Sequence, residues 1–196
     1  MSKNAYNIRI PAEAIIMTEE SEEYMHKIVL VGDENVGKTS IIIRYTEKRF
    51  VESYRPTLGV DFAVKVVELK GNDNKKKSIK LACWDLGGQE QYRTLRRFYL
   101  SGARGCIIVF DVTNPTSFEH VVNWHDDVVK ICGNVPCFLV GNKIDLKNER
   151  RVSRSVGSEL ASKLGLSFFE TSAKTGESVD DLFEIMAKTL YESYML

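Results

Sequence analysis

Short apolar runs alternate with segments of helical periodicity along most of the chain. Six segments are predicted as strands, the first of them a short β-branched run: 26–31, 60–69, 78–85, 105–111, 136–141 and 167–171. Residues 105–111 are almost wholly apolar, which is typical of a central strand buried on both faces. The polar residues 71–77 join the second and third strands as in a hairpin, and Lys75–Lys77 are predicted to lie in a solvated turn.

Four further segments have the spacing of helices: 39–48, 116–131, 153–164 and 179–191. Strands that alternate with helices need crossover connections, which predict a mostly parallel sheet. We therefore predict an α/β fold in three layers, with a six-stranded, mostly parallel sheet, one antiparallel edge strand and helices on both faces. Residues 25–196 are predicted to form one domain.

The first 24 residues differ in pattern from the rest and are predicted to be an N-terminal extension. Pro11 interrupts any helix there, and four glutamates lie within residues 19–23, just before the first strand. Two interpretations remain open: a mobile tail, or a tail that docks on its own domain or on a membrane. The apolar residues available for such docking are Ile8, Ile10, Ile15 and Ile16.

The charge composition narrows the classes of partner. The chain has 196 residues, with 27 Lys plus Arg and 27 Asp plus Glu, so its formal net charge is zero. Neutrality gives no support for binding nucleic acid or a membrane through net charge. Apolar residues make up 43% of the chain, which is ordinary for a globular protein, and no apolar run reaches the roughly 18 residues of a membrane span.

The segment Gly32–Thr39 fits the pattern GxxxxGK followed by Ser or Thr, which cradles the phosphates of nucleoside triphosphates. It follows a predicted strand and opens a predicted helix, as the motif requires. Glycines let backbone N–H groups turn toward phosphate oxygens. Lys38 brings positive charge to the β- and γ-phosphates, and Thr39 offers a hydroxyl to Mg²⁺. The candidate ligands here are Asn35, Val36, Gly37, Lys38, Thr39 and Ser40.

Two motifs that follow later strands indicate the base. Asp145 can accept hydrogen bonds from guanine N1–H and the exocyclic amine, a donor pair that adenine lacks. The aliphatic stem of Lys143 can lie over the ring. Backbone N–H groups of the segment Thr171–Lys174 can meet guanine O6. The candidate base-binding residues are Asn142, Lys143, Asp145, Ser172, Ala173 and Lys174.

Residues just before the second predicted strand and at the end of the third complete a candidate catalytic site. Asp85 can hold Mg²⁺ together with the hydroxyls of Thr39 and Thr57. Gly88 can donate its N–H to a γ-phosphate, and Gln89 can orient an attacking water. The candidate metal ligands are therefore Thr39, Thr57 and Asp85, and the candidate catalytic residues are Gln89 and Lys38. Ligands at the carboxyl ends of strands are the rule in open α/β sheets.

With these motifs in this order, the chain resembles a small GTPase of the Ras superfamily, most like the Rab group, over residues 26–192. The Rab-like segments are Leu58–Phe62, Lys80–Asp85, Gly88–Tyr92, Tyr99–Ala103 and Ile108–Thr113. The resemblance implies the strand order 2-3-1-4-5-6. It also implies a molecular switch that hydrolyses GTP to GDP and phosphate, slowly without an activating protein. Loops 50–59 and 86–98 would then be ordered by the γ-phosphate.

The same resemblance implies further site residues and partners. Phe50 is implied to pack against guanine, and Tyr54 is a further candidate nucleotide ligand. An aromatic patch read by effector proteins is implied for Phe62, Trp84 and Tyr99. Mg²⁺ is the implied cofactor, with GTP or GDP as ligand. We expect a monomeric, cytoplasmic protein of membrane trafficking whose partners are an effector, an exchange factor and a GTPase-activating protein, and no nucleic acid.

Three features depart from the family pattern. Glu34 stands in the phosphate loop where a small residue is usual, and its carboxylate can repel phosphate and block an activating protein's arginine. We therefore hypothesise slow hydrolysis. The pair Leu86-Gly87 replaces the usual Thr-Ala before Gly88, which is expected to loosen the second switch loop. No cysteine follows Cys137, so we expect no prenylated tail, and peripheral membrane association is in question.

Two alternatives to a hydrolysing switch remain open. A scaffold that holds GTP with negligible intrinsic hydrolysis is favoured by Glu34, although the intact Gln89 argues against it. A P-loop kinase or ATPase gives no reason for the two base-binding motifs. Displacement of mant-GDP by GTP against ATP distinguishes this last alternative.

Overall fold

The computed structural model describes residues 25–52, 57, 59–70, 76–87 and 93–195. Its strands are β1 (Met25–Val31), β2 (Val60–Lys70), β3 (Lys76–Leu86), β4 (Gly105–Asp111), β5 (Cys137–Asn142) and β6 (Ser167–Thr171). Its α-helices are α1 (Lys38–Glu47), α2 (Arg93–Leu100), α3 (Pro115–Glu119), α4 (Val121–Cys132), α5 (Arg154–Leu164) and α6 (Val179–Met195). A short 3-10 helix spans Lys147–Glu149.

The strands form one sheet in the order β2-β3-β1-β4-β5-β6. Only β2 and β3 pair antiparallel among these strands, from Val60 opposite Leu86 to Lys70 opposite Lys76. The other neighbouring strands pair parallel. These findings confirm the predicted α/β fold, the antiparallel edge strand and the implied strand order. The loops after β1, β3, β5 and β6 consequently meet at one edge of the sheet.

Two apolar clusters cover the two faces of the sheet. Alternate residues of β1 point to opposite faces, so Ile28 belongs to one cluster and Val29 to the other. The first cluster includes residues of α1 and α6, where the rings of Tyr45 and Phe183 stack with their centroids 3.9 Å apart. The second includes residues of α2, α4 and α5. β4 is buried along its whole length, as its apolar sequence predicts.

The predicted helix over 116–131 is helical along nearly its whole length, but the structure divides it into two helices, α3 and α4. His120 separates α3 from α4, with φ −76° and ψ −9°. Its ring Nδ1 lies 2.7 Å from Asp33 Oδ2, in the loop after β1. Side-chain periodicity continues through this one-residue break, whereas the contact that accompanies it comes from a distant part of the chain. The sequence pattern therefore gave no signal of the break.

Two predictions about loops are also corrected. α2 begins inside the segment 86–98, which was predicted as a loop, and its eight residues contain neither glycine nor proline. Lys77 belongs to β3 rather than to a solvated turn, because it pairs with Leu69 in the hairpin. Its Nζ lies 5.1 Å from the ring centroid of Tyr191. Lys75 lies outside the described residues.

Within the described part of the chain, the helices are all too short or too polar to cross a membrane.

Candidate functional site

The loop between β1 and α1 needs glycine at two positions. Gly32 has φ +138°, and a Cβ there would stand 2.1 Å from the carbonyl oxygen of Val109. Gly37 has φ +97°, and a Cβ there would stand 2.3 Å from Nδ2 of Asn142. Both positions combine a left-handed backbone with close approach to another segment, which glycine alone permits without strain. The loop is therefore held tightly against β4 and β5.

Lys38 at the start of α1 is buried, with 5% of its surface exposed. Its Nζ donates to the carbonyl oxygens of Gly32 at 2.8 Å and Asp33 at 2.6 Å. Burial lowers the pKa of Lys38 to about 8, although the Asp85, Asp33 and Glu34 carboxylates oppose this shift. A cation that is desolvated and held inside a loop suits an anionic ligand, since the ligand's charge offsets the cost of burial.

The side-chain oxygens of Thr39, Thr57 and Asp85 converge beside this loop. The two threonine hydroxyls are 2.9 Å apart, and Thr57 donates to Asp85 Oδ2 at 3.1 Å. Thr39 also donates to Asp85 Oδ2. Asp85 is 2% exposed, and its buried Oδ1 has no hydrogen-bond partner within the described residues. Two hydroxyls and a carboxylate with a spare oxygen are the hard oxygen donors that Mg²⁺ prefers.

The pKa of Asp85 reflects two opposing effects. Burial raises the pKa of its carboxyl, and the hydrogen bonds from Thr39 and Thr57 and the positive charge of Lys38 oppose that rise. A divalent cation next to the carboxylate would favour the ionised form further. The residues present therefore fit a magnesium ion.

The loops after β5 and β6 are held together at the other end of the site. Asn142 Nδ2 donates to the carbonyl oxygen of Val36 at 2.9 Å. Its Oδ1 accepts from the backbone N–H of Ala173 and from the hydroxyl of Thr171, each at 3.2 Å. One buried amide thus ties together the phosphate loop and the two loops carrying the base-binding motifs. This contact gives Asn142 a positioning role.

Two carboxylates fix the remaining polar groups of this end. Asp145 Oδ1 accepts a 2.6 Å hydrogen bond from the hydroxyl of Ser172. Lys143, which has φ +69°, forms a 2.7 Å ion pair from its Nζ to Asp111 Oδ2. Asp111 is buried at the end of β4, so the ion pair anchors the head of Lys143 and sets the course of its aliphatic stem. Asp145 keeps its second oxygen for another donor.

A cavity of about 690 Å³ connects the two ends, a size typical of small-molecule sites. The predicted ligands that line it are Asn35, Gly37, Lys38, Thr39, Ser40, Phe50, Thr57, Asn142, Lys143, Asp145, Ala173 and Lys174. Three predicted residues do not line the cavity because they are buried: Val36, Asp85 and Ser172. Asp85 lies behind Thr39 and Thr57, and Ser172 lies behind Asp145. The structure therefore brings the described candidates to one place.

Comparison with known proteins assigns the family. The sequence model of the Ras family matches residues 27–192. The chain belongs to the Ras family. Its relatives include Ras-related protein SEC4 of Candida albicans, 42% identical over 170 residues that cover 86% of this chain and 79% of that protein. GTP-binding protein ypt2 of Schizosaccharomyces pombe is 39% identical over 175 residues, which cover 89% of this chain and 85% of that protein. Ras-related protein Rab-13 of Bos taurus is 38% identical over 169 residues, which cover 86% of this chain and 81% of that protein.

The Ras-family chain carries three predicted site residues outside the described part of the structure: Tyr54, Gly88 and Gln89. Of the implied aromatic patch, Phe62 is 45% exposed and its ring centroid lies 5.9 Å from that of Trp84. Tyr99 is partly buried and packs against the second apolar cluster.

Glu34 and Gly87, which depart from the family pattern, both line the cavity. Glu34 is exposed, and it contributes to the electrostatic environment of the buried Lys38 ammonium. Gly87 donates its N–H to the carbonyl oxygen of Gly59 at 3.0 Å, which ties the end of β3 to the residue before β2. The carboxylate of Glu34 thus stands at the phosphate end of the site.

Arg44 of α1 contacts the candidate site, and the sequence patterns did not identify it. Its Nε donates to the carbonyl oxygen of Ala173 at 2.8 Å, and its Nη2 donates to that of Lys174. Its Nη1 donates to the carbonyl oxygen of Lys48 at 3.1 Å, at the end of the same helix. The guanidinium therefore positions the loop after β6. No local pattern could reveal this, since the partner carbonyls lie about 130 residues away.

Asp33 was also missed, and it joins the phosphate loop to α4. Its Oδ1 accepts from Trp124 Nε1 at 2.8 Å, and its Oδ2 lies 2.7 Å from His120 Nδ1. Trp124 also contacts Arg96 of α2, whose guanidinium carbon lies 3.9 Å from the Trp124 ring centroid. Arg96 Nη1 lies 3.0 Å from Asp127 Oδ2. Asp33 therefore fixes the backbone next to Glu34.

Proposed function

We propose that this Ras-family protein is a GTP-binding switch that hydrolyses GTP slowly to GDP and phosphate. The observation that carries the proposal is that one cavity is lined by Lys38 and the Thr39 and Thr57 hydroxyls at one end and by Asp145 at the other. This spacing suits a nucleotide whose phosphates lie at α1 and whose base lies at the β5 and β6 loops. The relative ypt2 of Schizosaccharomyces pombe is named as a GTP-binding protein.

Guanine is selected by Asp145. One of its oxygens accepts from Ser172, which holds the carboxylate in place for the guanine N1–H and exocyclic amine. The Lys143 stem and Phe50 pack on the base. The backbone N–H of Lys174 meets O6, since the N–H groups of Ser172 and Ala173 donate to Glu177 and Asn142. Adenine would leave the carboxylate facing no matching donors, which costs more than the lost bond alone.

The cation site is built from Thr39, Thr57 and Asp85. The hydroxyls of the threonines would bind the ion, with Asp85 behind them. When bound, Mg²⁺ neutralises charge on the β- and γ-phosphate oxygens. Thr57 lies on the loop before β2, and its bonds to Thr39 and Asp85 tie that loop to the phosphate site. The γ-phosphate would add contacts to Thr57 and Gly88, and its loss would release the two loops that carry them, which is the switch.

Hydrolysis needs only positioning and charge stabilisation from the chain. The oxygen of a water attacks the γ-phosphorus while the bond from the γ-phosphorus to the β–γ bridging oxygen breaks. GDP keeps the electron pair of that bond, and the water's proton passes to the released phosphate. Lys38 and the loop N–H groups stabilise the developing charge, and Gln89 orients the water. The Asn142 amide and Arg44 hold the base-end loops, and thereby the nucleotide, in register.

Glu34 makes the unaided reaction slow. Its carboxylate lines the phosphate end of the cavity, where it repels the γ-phosphate and stands in the path of an arginine from an activating protein. The same observation favours one alternative, a scaffold that holds GTP with negligible hydrolysis. By its similarity to the Rab group, we place the switch in membrane trafficking, with an effector, an exchange factor and an activating protein as partners.

Single-turnover hydrolysis of bound GTP, with and without Mg²⁺, tests the proposal. Magnesium-dependent formation of GDP and phosphate is expected from the wild type and not from Gln89→Leu. GTP that stays intact for hours in both proteins would support the scaffold. Mant-GDP displacement by GTP and by ATP tests the base, and equal displacement would contradict guanine selection by Asp145.

A further inference from the structure

The outer side of the edge strand β2 carries a row of exposed apolar side chains. Phe62, Val64 and Val66 are 45%, 46% and 47% exposed, and they share one side because strand side chains alternate. Ala63 and Val67 point to the other side, where they pack with the first apolar cluster beneath α1 and α6. The row therefore belongs to the sheet face that these two helices leave open.

This face continues across β3 to the start of β1. Val66 pairs with Lys80, which pairs with Met25, and Met25 is 41% exposed. Val64 and Lys27 likewise flank Ala82 in the next row. Lys27 lies over the ring of Trp84, 4.1 Å from its centroid. We call Met25, Lys27, Phe62, Val64, Val66 and Lys80 the open sheet face. Contiguous exposed apolar surface of this kind marks an interaction site.

We propose that residues 1–24 of this chain cover the open sheet face. Their chemistry matches it in two respects. Four glutamates within residues 19–23 complement the two lysines, and four isoleucines farther from β1 complement the valines and phenylalanine. This pairing of charge and apolarity argues for the chain's own segment over any other apolar ligand.

The geometry of the chain supports the same occupant. Met25 is both the first residue of β1 and a member of the open sheet face, and the Lys80 row lies one strand spacing, about 4.8 Å, away. An acidic run that turns back from Met25 over β3 would meet Lys80 first, whereas Glu68 on the same side of β2 lies one pair farther toward the hairpin. From Met25 to Phe62 is about 13 Å along the strands and about 10 Å across them. Ile16 and Met25 are nine positions apart, over which an extended chain spans roughly 30 Å, so the chain can turn back over the whole face.

Covering of the open sheet face by residues 1–24 would affect the binding of effector proteins. The open sheet face includes Phe62 beside Trp84, two residues of the implied effector patch. A partner that reads these rings would have to displace residues 1–24 first. This consequence rests on the proposed switch function, whereas the docking itself does not depend on GTP hydrolysis.

Hydrogen exchange of the full chain, followed by mass spectrometry, tests the docking directly. In the wild type, amides of residues 8–23 are expected to exchange at least about tenfold more slowly than in an unstructured peptide. Val66→Glu places a negative charge against the acidic run, and joint substitution of the four glutamates within 19–23 by Gln removes that run. Both variants are expected to lose most of the protection. The second variant leaves the folded domain untouched.

Val156→Glu on α5 is the matched control, because Val156 is 46% exposed and lies on a helix beside β6. It is expected to keep wild-type protection of residues 8–23. Exchange at the free-peptide rate in the wild type would overturn the proposal, and so would protection that survives Val66→Glu.

Two other occupants are outcomes of the same experiment. Protection that falls on tenfold dilution of the protein would assign the segment to a second copy of the chain. Protection found only with phosphatidylcholine–phosphatidylserine vesicles, and equal in Val66→Glu, would assign it to a membrane. Either result would overturn docking within one chain.

Discussion

At the scale of single residues, the phosphate loop carries a negative charge where its ligand is also negative. Replacing Glu34 by Gly is expected to raise the rate of GTP hydrolysis about fivefold, since repulsion between this exposed carboxylate and the γ-phosphate costs about 1 kcal/mol. Glu34→Gln keeps the size of the side chain and removes its charge, so it separates repulsion from bulk. Single-turnover assays measure both rates. No increase in either variant would rule out the carboxylate as the cause of slow hydrolysis.

A second residue, His26 of β1, makes stability depend on pH. It is 5% exposed, neither ring nitrogen has a hydrogen-bond partner within the described residues, and its ring lies 5.6 Å from that of Tyr194. Burial lowers the pKa of His26, and the nearby Arg104 charge lowers it further. Around pH 6.5 the unfolded chain then binds a proton that the folded chain does not, so stability falls as pH falls through this range.

The variant His26→Phe is expected to lose this part of the pH dependence and to gain about 1 kcal/mol, because it removes two buried unpaired nitrogens and keeps a ring against Tyr194. Urea unfolding at pH 5.5 and 7.5, with nucleotide held constant, measures both effects. His125→Phe is the comparison, since it changes another histidine and leaves His26 in place. An unchanged pH dependence in His26→Phe would show that other groups cause it.

At the scale of elements, α1 is fastened to the loop after β6 by Arg44. Arg44→Met is expected to release guanine nucleotide about tenfold faster, because two charged hydrogen bonds to the loop carbonyls are lost at a partly exposed site. Mant-GDP release into excess GDP gives the rate. Arg151→Met, on the exposed surface after the 3-10 helix, is expected to match the wild type. Equal rates in the two variants would mean that Arg44 does not position the base loop.

Some elements of this fold can be predicted from local sequence, and others cannot. β4 was predictable because all its residues but the last, Asp111, are apolar or glycine, and the phosphate loop because its glycines and lysine lie within seven residues. α2 was not, since Arg93–Leu100 has only eight residues, about two turns, which is too short for helical periodicity to stand out. The break at His120 and the role of Arg44 depend on contacts with Asp33 and with the loop after β6, far away in sequence. Periodicity reports how one segment faces the core, and it carries no information about such partners.

At the scale of the whole molecule, the cavity joins loops from both halves of the sheet. The phosphate loop follows β1 and the base-binding loops follow β5 and β6, with Asn142 as a direct bond between them. A ligand that touches both ends adds a second connection between strands on either side of β4. Because it binds the folded chain alone, its binding free energy adds to the free energy of unfolding.

Nucleotide removal should therefore destabilise the protein as a whole. GDP with Mg²⁺ at a hundred times its Kd is expected to add about 2.7 kcal/mol, which raises Tm by about 5–10 °C for a chain of this size. GMP is expected to add less because it lacks the phosphate that reaches Lys38 and the threonines, and EDTA is expected to reduce the GDP effect because Thr39, Thr57 and Asp85 then bind no ion. Scanning calorimetry of nucleotide-free protein with GDP, GMP and ADP gives the shifts. An equal shift with ADP would contradict recognition of guanine by Asp145, and an EDTA-insensitive shift would contradict the magnesium site.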